Sequence, residues 1–462
     1  MLDKNQFQKE QNELLKAVLD ARFFSPWSEA QYNDPAALVH DAKLEIFITN
    51  TCNQSCEYCY LIKNPGLYPA DKRDPALIIN NLKLLYDFIL KNNYHIPLAD
   101  IFTGEIWHTQ LGLDFFETTL QYLKKGMRID QFLIASNCSF VYNDKARNQI
   151  QNYINQFQIY NSCITYSISI DGKIIEEQER PLNNGMVKND DYYDKIFTFA
   201  KYNGYNFHPM VAANSVKHWI ENYQWWESQF EKWDMDINSI MMLEVRNAEW
   251  TEENIRDYLT FLNYLIDNFI KKYCNNDPKL LANAMMRVRN PKHVFLSGYI
   301  PWIFTEADDF LGCSISENLT VRLGDLAICP CHRTAYNKYL YGKFIVKNGE
   351  IVDIEANNPQ MAIKVLLGNI KSVTNRCDTC LFRDYCLKFC LGSSLESVGD
   401  PFIPDHNICT FFHSKYSFLI KKYKELGIID YYRTISPFEM GYNRVEKFLN
   451  MVDTWEERYE LG

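Results

Sequence analysis

Apolar residues recur along this chain in two alternating rhythms. Short runs rich in Ile, Leu, Val and Phe, at residues 44–50, 100–103, 131–135, 164–170, 206–212 and 239–245, read as strands. Between them, residues 74–92, 113–125, 145–157 and 191–202 place apolar side chains at helical spacing. Six such units in series predict an α/β fold with parallel strands and outer helices, either a doubly wound sheet or a full or partial barrel. A short amphipathic stretch near residues 12–24 predicts a helix packed outside this domain. Beyond the sixth strand, residues 251–272 and 278–289 predict two helices, and 411–426 and 437–461 predict closing ones. The aromatic stripe at residues 223–233 (YQWWESQFEKW) reads as a helix face turned to the core.

Composition narrows the class. A chain of 462 residues suggests two or three domains, and 47% apolar with 23% charged residues is an ordinary globular balance. The net charge of −10 argues against a general nucleic-acid surface. No apolar run reaches the roughly 18 residues of a membrane span, and the polar N-terminus has no secretory h-region. The expectation is a cytoplasmic protein with no membrane and no nucleic-acid partner.

Fourteen cysteines are too many for an average protein of a reducing compartment, where structural disulfides are rare. Three cluster at positions 52, 56 and 59, and eight fall between 313 and 409. Such clustering points to metal or iron–sulfur ligation. Cys138, Cys163 and Cys274 stand apart and read as small apolar core residues.

The early group sits in LEIFITNTCNQSCEYCYL, directly after the first strand, where a parallel α/β fold places its active-site mouth. Three thiolates with C-x3-C-x2-C spacing can hold three irons of a [4Fe–4S] cube and leave the fourth open. The alternative is a zinc knuckle, but structural zinc takes four protein ligands and no fourth Cys or His is near.

This spacing, with aromatic Tyr58 before the last cysteine, resembles the radical S-adenosylmethionine (SAM) superfamily. The resemblance implies a partial (β/α)6 barrel, with SAM chelated to the open iron by its amino and carboxylate groups. It also implies reductive cleavage of SAM to a 5′-deoxyadenosyl radical that abstracts hydrogen from an unactivated C–H bond. Thr103-Gly104-Glu105-Ile106 is similar to a degenerate GGEP motif, in which Gly104 lets backbone approach the ligand and Glu105 offers a carboxylate to the SAM ammonium. Ser136 and Asn137 stand where the family contacts the SAM ribose, though an Asn in a turn after a strand has the same look. SISIDG followed by Arg180 resembles the S-x-D-G…R pattern of peptide-modifying members, which implies that Ser169 and Arg180 hold the SAM carboxylate.

The late cysteines resemble the seven-cysteine SPASM extension. Cys313, ten residues, Gly324, four residues and Cys329 are followed by Cys377-x2-Cys380-x5-Cys386-x3-Cys390 and then Cys409. Paired zinc ribbons are the alternative, but they repeat C-x2-C, which this spacing does not. The resemblance implies two auxiliary [4Fe–4S] clusters, giving three in all. Cys377, Cys380, Cys386 and Cys409 would close the outer one, and Cys313, Cys329 and Cys390 would bind the inner one. Its fourth ligand is either Cys331 or none, which would leave that iron open to substrate.

The implied domains are an N-terminal helical extension (1–43), the barrel (44–250), a helical linker (251–309), a small loop-rich SPASM domain (310–412) and closing helices (413–462). The implied activity is that of a radical SAM oxidoreductase acting on a ribosomally made precursor peptide or a protein. Its product would be an oxidised side chain, a thioether or a carbon–carbon link, with flavodoxin or ferredoxin as electron donor. Formylglycine formation, as in anaerobic sulfatase maturases, ranks second. Those enzymes tend to carry Asp directly after the second SPASM cysteine, where this chain has Pro330, with Asp325 upstream. A non-catalytic iron–sulfur carrier or scaffold is the reading of another class. Some 43 residues precede the first strand, too few for a leader-gripping winged-helix module. Tyr60, Glu244, His332 and Asp325 all stand as candidate bases, and the sequence selects none.

Overall fold

A computed structural model describes residues 4–23, 43–64, 74–102, 104–236, 239–287, 315, 318–335, 337–367, 377, 379–383, 385–386, 390–439 and 441–459. Cys313 and Thr103 lie outside them. In chain order the main elements are α1 (Lys4–Arg22), β1 (Lys43–Phe47), α2 (Pro75–Lys91), β2 (His95–Phe102), α3 (Gln110–Lys124), β3 (Arg128–Ser136), α4 (Asp144–Ile159), β4 (Cys163–Ile168) and α5 (Asp190–Asn203). Short strands β5 (Asn206–Phe207) and β6 (Met210–Val211) lead to α6 (Trp219–Lys232), β7 (Leu243–Glu244), α7 (Glu252–Tyr273) and α8 (Pro278–Arg287). Then come β8 (Asn318–Arg322), β9 (Ala327–Cys329), β10 (Gly342–Lys347), β11 (Glu350–Ala356), α9 (Pro359–Leu366), α10 (Leu391–Val398), α11 (His406–Glu425), α12 (Ile428–Arg433) and α13 (Tyr442–Tyr459). Among the described residues no helix is long and apolar enough to cross a membrane.

The chain divides into two compact units, one of residues 1–169, 181–206 and 314–369, the other of residues 170–180, 207–313 and 370–462. The first unit is built on a sheet of order β11-β10-β9-β8-β1-β2-β3-β4-β5, in which β8 and β1 to β4 run parallel. The helices between these strands start where the sequence supplies a cap. Asp74 accepts from the Ala76 amide ahead of Pro75, and Asn143 accepts from the Lys145 and Ala146 amides.

The six predicted strands are not equally realised. The first four are long and hydrogen-bonded side by side. The fifth is broken into β5 and β6 around His208-Pro209, since proline cannot donate to a ladder, and the sixth is the two-residue β7, paired with β6, with a single bridge from Ile240 to Phe207 before it. The region expected to be loop-rich instead adds four strands. β8 runs parallel to β1 on the side away from β2, and β9 to β11 follow it antiparallel. The signal for this was Asn348-Gly349, with φ of 52° and 79°, between alternating strands, a hairpin turn that requires two left-handed residues. The N-terminal helix lies on this addition. Leu15 and Leu19 are fully buried, and Asn12 accepts from the Ala356 amide.

The second unit is mostly helical. Its core holds Trp219, Trp226, Trp250 and Trp455, and the predicted stripe buries Tyr223, Trp226 and Phe230 along one face of α6. Lys415 of α11 and Glu244 of β7 form a fully buried ion pair at 2.6 Å, and the Tyr258 hydroxyl donates to the same carboxylate at 2.7 Å. A pair this dry persists only because each charge has its partner.

Candidate functional site

The parallel strands of the first unit carry two kinds of rung. Val321, Ile46, Ile101, Ile134 and Tyr166 lie in register and are buried against helices. The rung beside it reads Thr320, Glu45, Asp100, Leu133 and Thr165, on the opposite face, with Leu133 and Thr165 only half-buried. One face of the sheet is thus apolar and helix-covered, while the other is polar and open at its β4 side. Burial and the neighbouring Glu45 push the Asp100 carboxyl up to about 8. Glu45 accepts from the His332 amide at 2.8 Å and sits 2.6 Å from His332 Nδ1, and the His332 ring stacks on Phe102 at 3.8 Å.

The early cysteines occupy the loop beyond β1, each half-buried. Backbone pairing holds this loop from two sides. Ser55 N–H donates to the Pro181 carbonyl, Asn183 N–H to the Asn53 carbonyl, and Asn183 Nδ2 to the Cys52 carbonyl. Asn53 also donates to Ser139 Oγ at 2.7 Å and accepts from Asn137 Nδ2 at 2.8 Å. Gly104 stands where the β1 and β2 loops cross. A Cβ there would lie 2.1 Å from the Thr51 carbonyl oxygen, while Gly104 N–H and Glu105 N–H donate to the Thr49 and Thr51 carbonyls. The close approach that demands glycine is therefore between two protein backbones, one of which enters the cysteine loop.

Glu105, Ser136 and Asn137 come together as a buried group. The Glu105 carboxylate accepts from Ser136 Oγ at 3.0 Å, from Asn137 N–H at 2.8 Å and from Trp107 N–H at 3.3 Å. Asn137 also makes the turn anticipated for it, its Oδ1 accepting from the Ser139 amide at 2.9 Å, with Cys138 left-handed at φ 54°. Ser169 follows β4, and its N–H donates to the Ser136 carbonyl at 2.8 Å. Tyr58 is half-buried beside Cys59.

Arg180 belongs to the second unit, where buried Asp171 and Glu176 lie 3.7 and 3.9 Å from its guanidinium. The Asp of the S-x-D-G pattern has a structural task in that unit. Asp171 Oδ1 accepts from the Met210 amide at 2.8 Å, and its carbonyl accepts from Asn222 and Trp226. Gly172, at φ +112°, packs so closely on these two side chains that a Cβ would lie 2.5 Å from Asn222.

The late cysteines divide between the units. Cys329 ends β9 and Cys331 follows it, both buried in the first unit, and burial pushes the Cys329 thiol up. In the second unit Cys377, Cys380, Cys386 and Cys409 line one apolar cavity of about 420 Å³, together with Cys390 and His413. Burial, then the neighbouring Cys386, Cys377 and Cys380, push the Cys409 thiol up to about 12. Among the described residues no three His, Cys, Asp or Glu side chains are arranged to hold a single metal ion. The candidate bases are dispersed. His332 and Tyr60 are neighbours, with ring centroids 5.6 Å apart, whereas Asp325 is clamped by Arg322 at 2.8 and 2.6 Å and Glu244 is held by Lys415. Sequence reasoning missed Asn53 and Asn183, which pin the loop, and His413, whose only signal was its position four residues after Cys409.

Neither family models nor curated proteins give a match to this chain. Solved structures do. One of anSMEcpe with bound AdoMet is similar over 83% of this chain and 98% of that chain, at 16% identity and a TM-score of 0.53. A second, with bound AdoMet and the Kp18Cys peptide, covers 85% of this chain and 100% of that chain at 15% identity and a TM-score of 0.53. SuiB of Streptococcus suis bound to precursor peptide SuiA gives a TM-score of 0.44 at 13% identity, over 88% of this chain and 82% of that chain. This chain therefore shares the mixed α/β fold of anSMEcpe.

Proposed function

We propose that this chain is a radical SAM/SPASM enzyme that modifies a peptide or protein. The observation that carries the reading is the loop of Cys52, Cys56 and Cys59, fixed at the end of β1 beside the buried Glu105, Ser136 and Asn137. Three thiols on a pinned loop fit a cluster with one open iron better than a closed zinc site, which takes four protein ligands. When bound, cluster and SAM together supply one-electron cleavage to a 5′-deoxyadenosyl radical, which takes hydrogen from a C–H bond of the substrate.

The chain's own residues bind and orient. Glu105 supplies the carboxylate for the SAM ammonium, held in place by Ser136 and Asn137, which stand on the ribose side by the resemblance. Ser169 and Arg180 serve the SAM carboxylate. The Arg180 contacts to Asp171 and Glu176 lie beyond hydrogen-bond range, so they orient the guanidinium electrostatically. The polar rung beginning at Thr320 and Glu45 faces the substrate.

Cys377, Cys380, Cys386 and Cys409 hold the outer auxiliary cluster, because thiols spread round a cavity wall suit a polynuclear group whose irons each take one ligand. Cys313, Cys329 and Cys390 hold the inner cluster, with Cys331 or an open position as its fourth ligand. Burial of Cys329, Cys331 and Cys390 favours a soft, cationic iron core as the group that brings them to thiolate. Formylglycine formation stays second, since the Arg322 clamp occupies Asp325, the nearest acid to Cys329 in sequence. The oxidised, thioether and carbon–carbon products all begin from the same hydrogen abstraction.

The test is the iron, sulfide and zinc content of protein purified and reconstituted without oxygen. About 12 irons per chain with matching sulfide support three clusters. About four irons with two zincs would keep the SAM site and remove the auxiliary clusters. Zinc alone would sink the catalytic reading.

A further inference from the structure

The cysteine cavity of the second unit has a wall that is not cysteine. His413 lies on α11 four residues after Cys409, so the two side chains share one face of the helix and both line the cavity. Its Nε2 stands 3.4 Å from Cys380 Sγ. The Phe382 and His413 rings meet in a T-shaped contact, with centroids 5.1 Å apart and planes at 79°. The cavity wall is mostly apolar, with Arg383, Asp405 and His406 also on it.

We infer that His413 is a positioning residue that donates an Nε2–H hydrogen bond to the Cys380 sulfur of the outer cluster and thereby sets that cluster's reduction potential. A thiolate bound to iron has no proton to give, so the ring nitrogen facing it must be the donor. An N–H donor withdraws charge from sulfur and favours the reduced, more negative form of the cluster, raising its potential. The inference rests on the reading that Cys377, Cys380, Cys386 and Cys409 hold an iron–sulfur cluster.

The experiment is a redox titration of the full, anaerobically reconstituted chain, followed by electron paramagnetic resonance, alongside His413→Phe, His413→Gln and Cys377→Ala. The outer-cluster signal is the one that Cys377→Ala removes. His413→Phe should lower its midpoint so that tenfold less cluster is reduced at a fixed potential, about 59 mV for one electron. His413→Gln, which keeps an N–H, should restore most of the shift, and the SAM-site signal should not move. An unchanged midpoint in His413→Phe with full iron content overturns the inference. So does a strong nitrogen hyperfine coupling in the unmodified chain, or loss of about four irons in both His413 variants, since either makes His413 an iron ligand. If Cys377→Ala removes no cluster signal, the cluster reading itself fails and the inference falls with it.

Discussion

The two cysteine sites of this chain are held in different ways. The loop of Cys52, Cys56 and Cys59 is half-buried and carried by backbone and amide hydrogen bonds from Pro181, Asn183, Asn137 and Ser139. The cavity of Cys377, Cys380, Cys386 and Cys409 is apolar and built into a helical core, with burial pushing Cys380 and Cys409 up. The first site is pinned by hydrogen bonds from neighbouring segments that do not involve its thiols. The second has the cysteines themselves in its wall, beside Phe382, Phe412 and Tyr416. On the proposed function the pinned loop would carry the cluster that accepts SAM, and the cysteine cavity the one that passes electrons.

The cysteine substitutions probe this contrast with the largest effects. Cys52→Ala should abolish SAM cleavage while leaving the thermal transition close to that of the parent. Cys377→Ala should lower that transition and stop peptide modification, yet leave uncoupled SAM cleavage measurable as 5′-deoxyadenosine. Peptide modification surviving in Cys377→Ala would remove the electron-relay role.

Next in size is Lys415→Met in the second unit's core. Leaving Glu244 buried beside Tyr258 without its cation should cost about 3–5 kcal/mol, read by denaturant unfolding. Double replacement with Glu244→Leu should recover much of it. A loss below about 1 kcal/mol would show that this core tolerates an unpaired charge and weaken the contrast in rigidity.

Asp100 tests the polar face of the first unit through pH. Its carboxyl is raised to about 8, so the folded state holds a proton that the unfolded chain releases near the ordinary carboxylate value of 3.8. Folding stability should therefore fall as pH rises from about 4 to 8, by at most about 1.4 kcal/mol per unit. Asp100→Asn should flatten that slope between pH 5 and 7, and an identical slope in the variant would mean that other groups carry it.

The smallest effect is expected from Glu105→Gln, which keeps an acceptor for Ser136, loses the charge and turns its NH2 toward the Trp107 or Asn137 amide N–H. SAM affinity of the reconstituted chain should drop about tenfold, or 1.4 kcal/mol. No change by titration calorimetry would confine Glu105 to joining the β2 and β3 loops.

Much of this was legible from residues. Alternating strand and helix periods located β1 to β4 and their helices, because parallel strands buried against helices need unbroken apolar faces. Spacing located both cysteine groups, since ligands to one cluster must be near in sequence or meet across a turn. The strands within residues 318–356 were hidden among the late cysteines, although Asn348-Gly349 marked the hairpin. Gly104 was legible as a glycine that mattered, but its partner, the Thr51 carbonyl, is a tertiary contact that no local pattern encodes. The same holds for Asn53, Asn183 and His413, whose roles arise only where separate segments meet.

The most direct measurement of the central claim is SAM turnover by the anaerobically reconstituted chain under a strong one-electron reductant. The account predicts 5′-deoxyadenosine and methionine in equal amounts, formed by the parent chain and by Cys377→Ala but not by Cys52→Ala. A parent chain that holds its full iron and sulfide, binds SAM and yields no 5′-deoxyadenosine would contradict it.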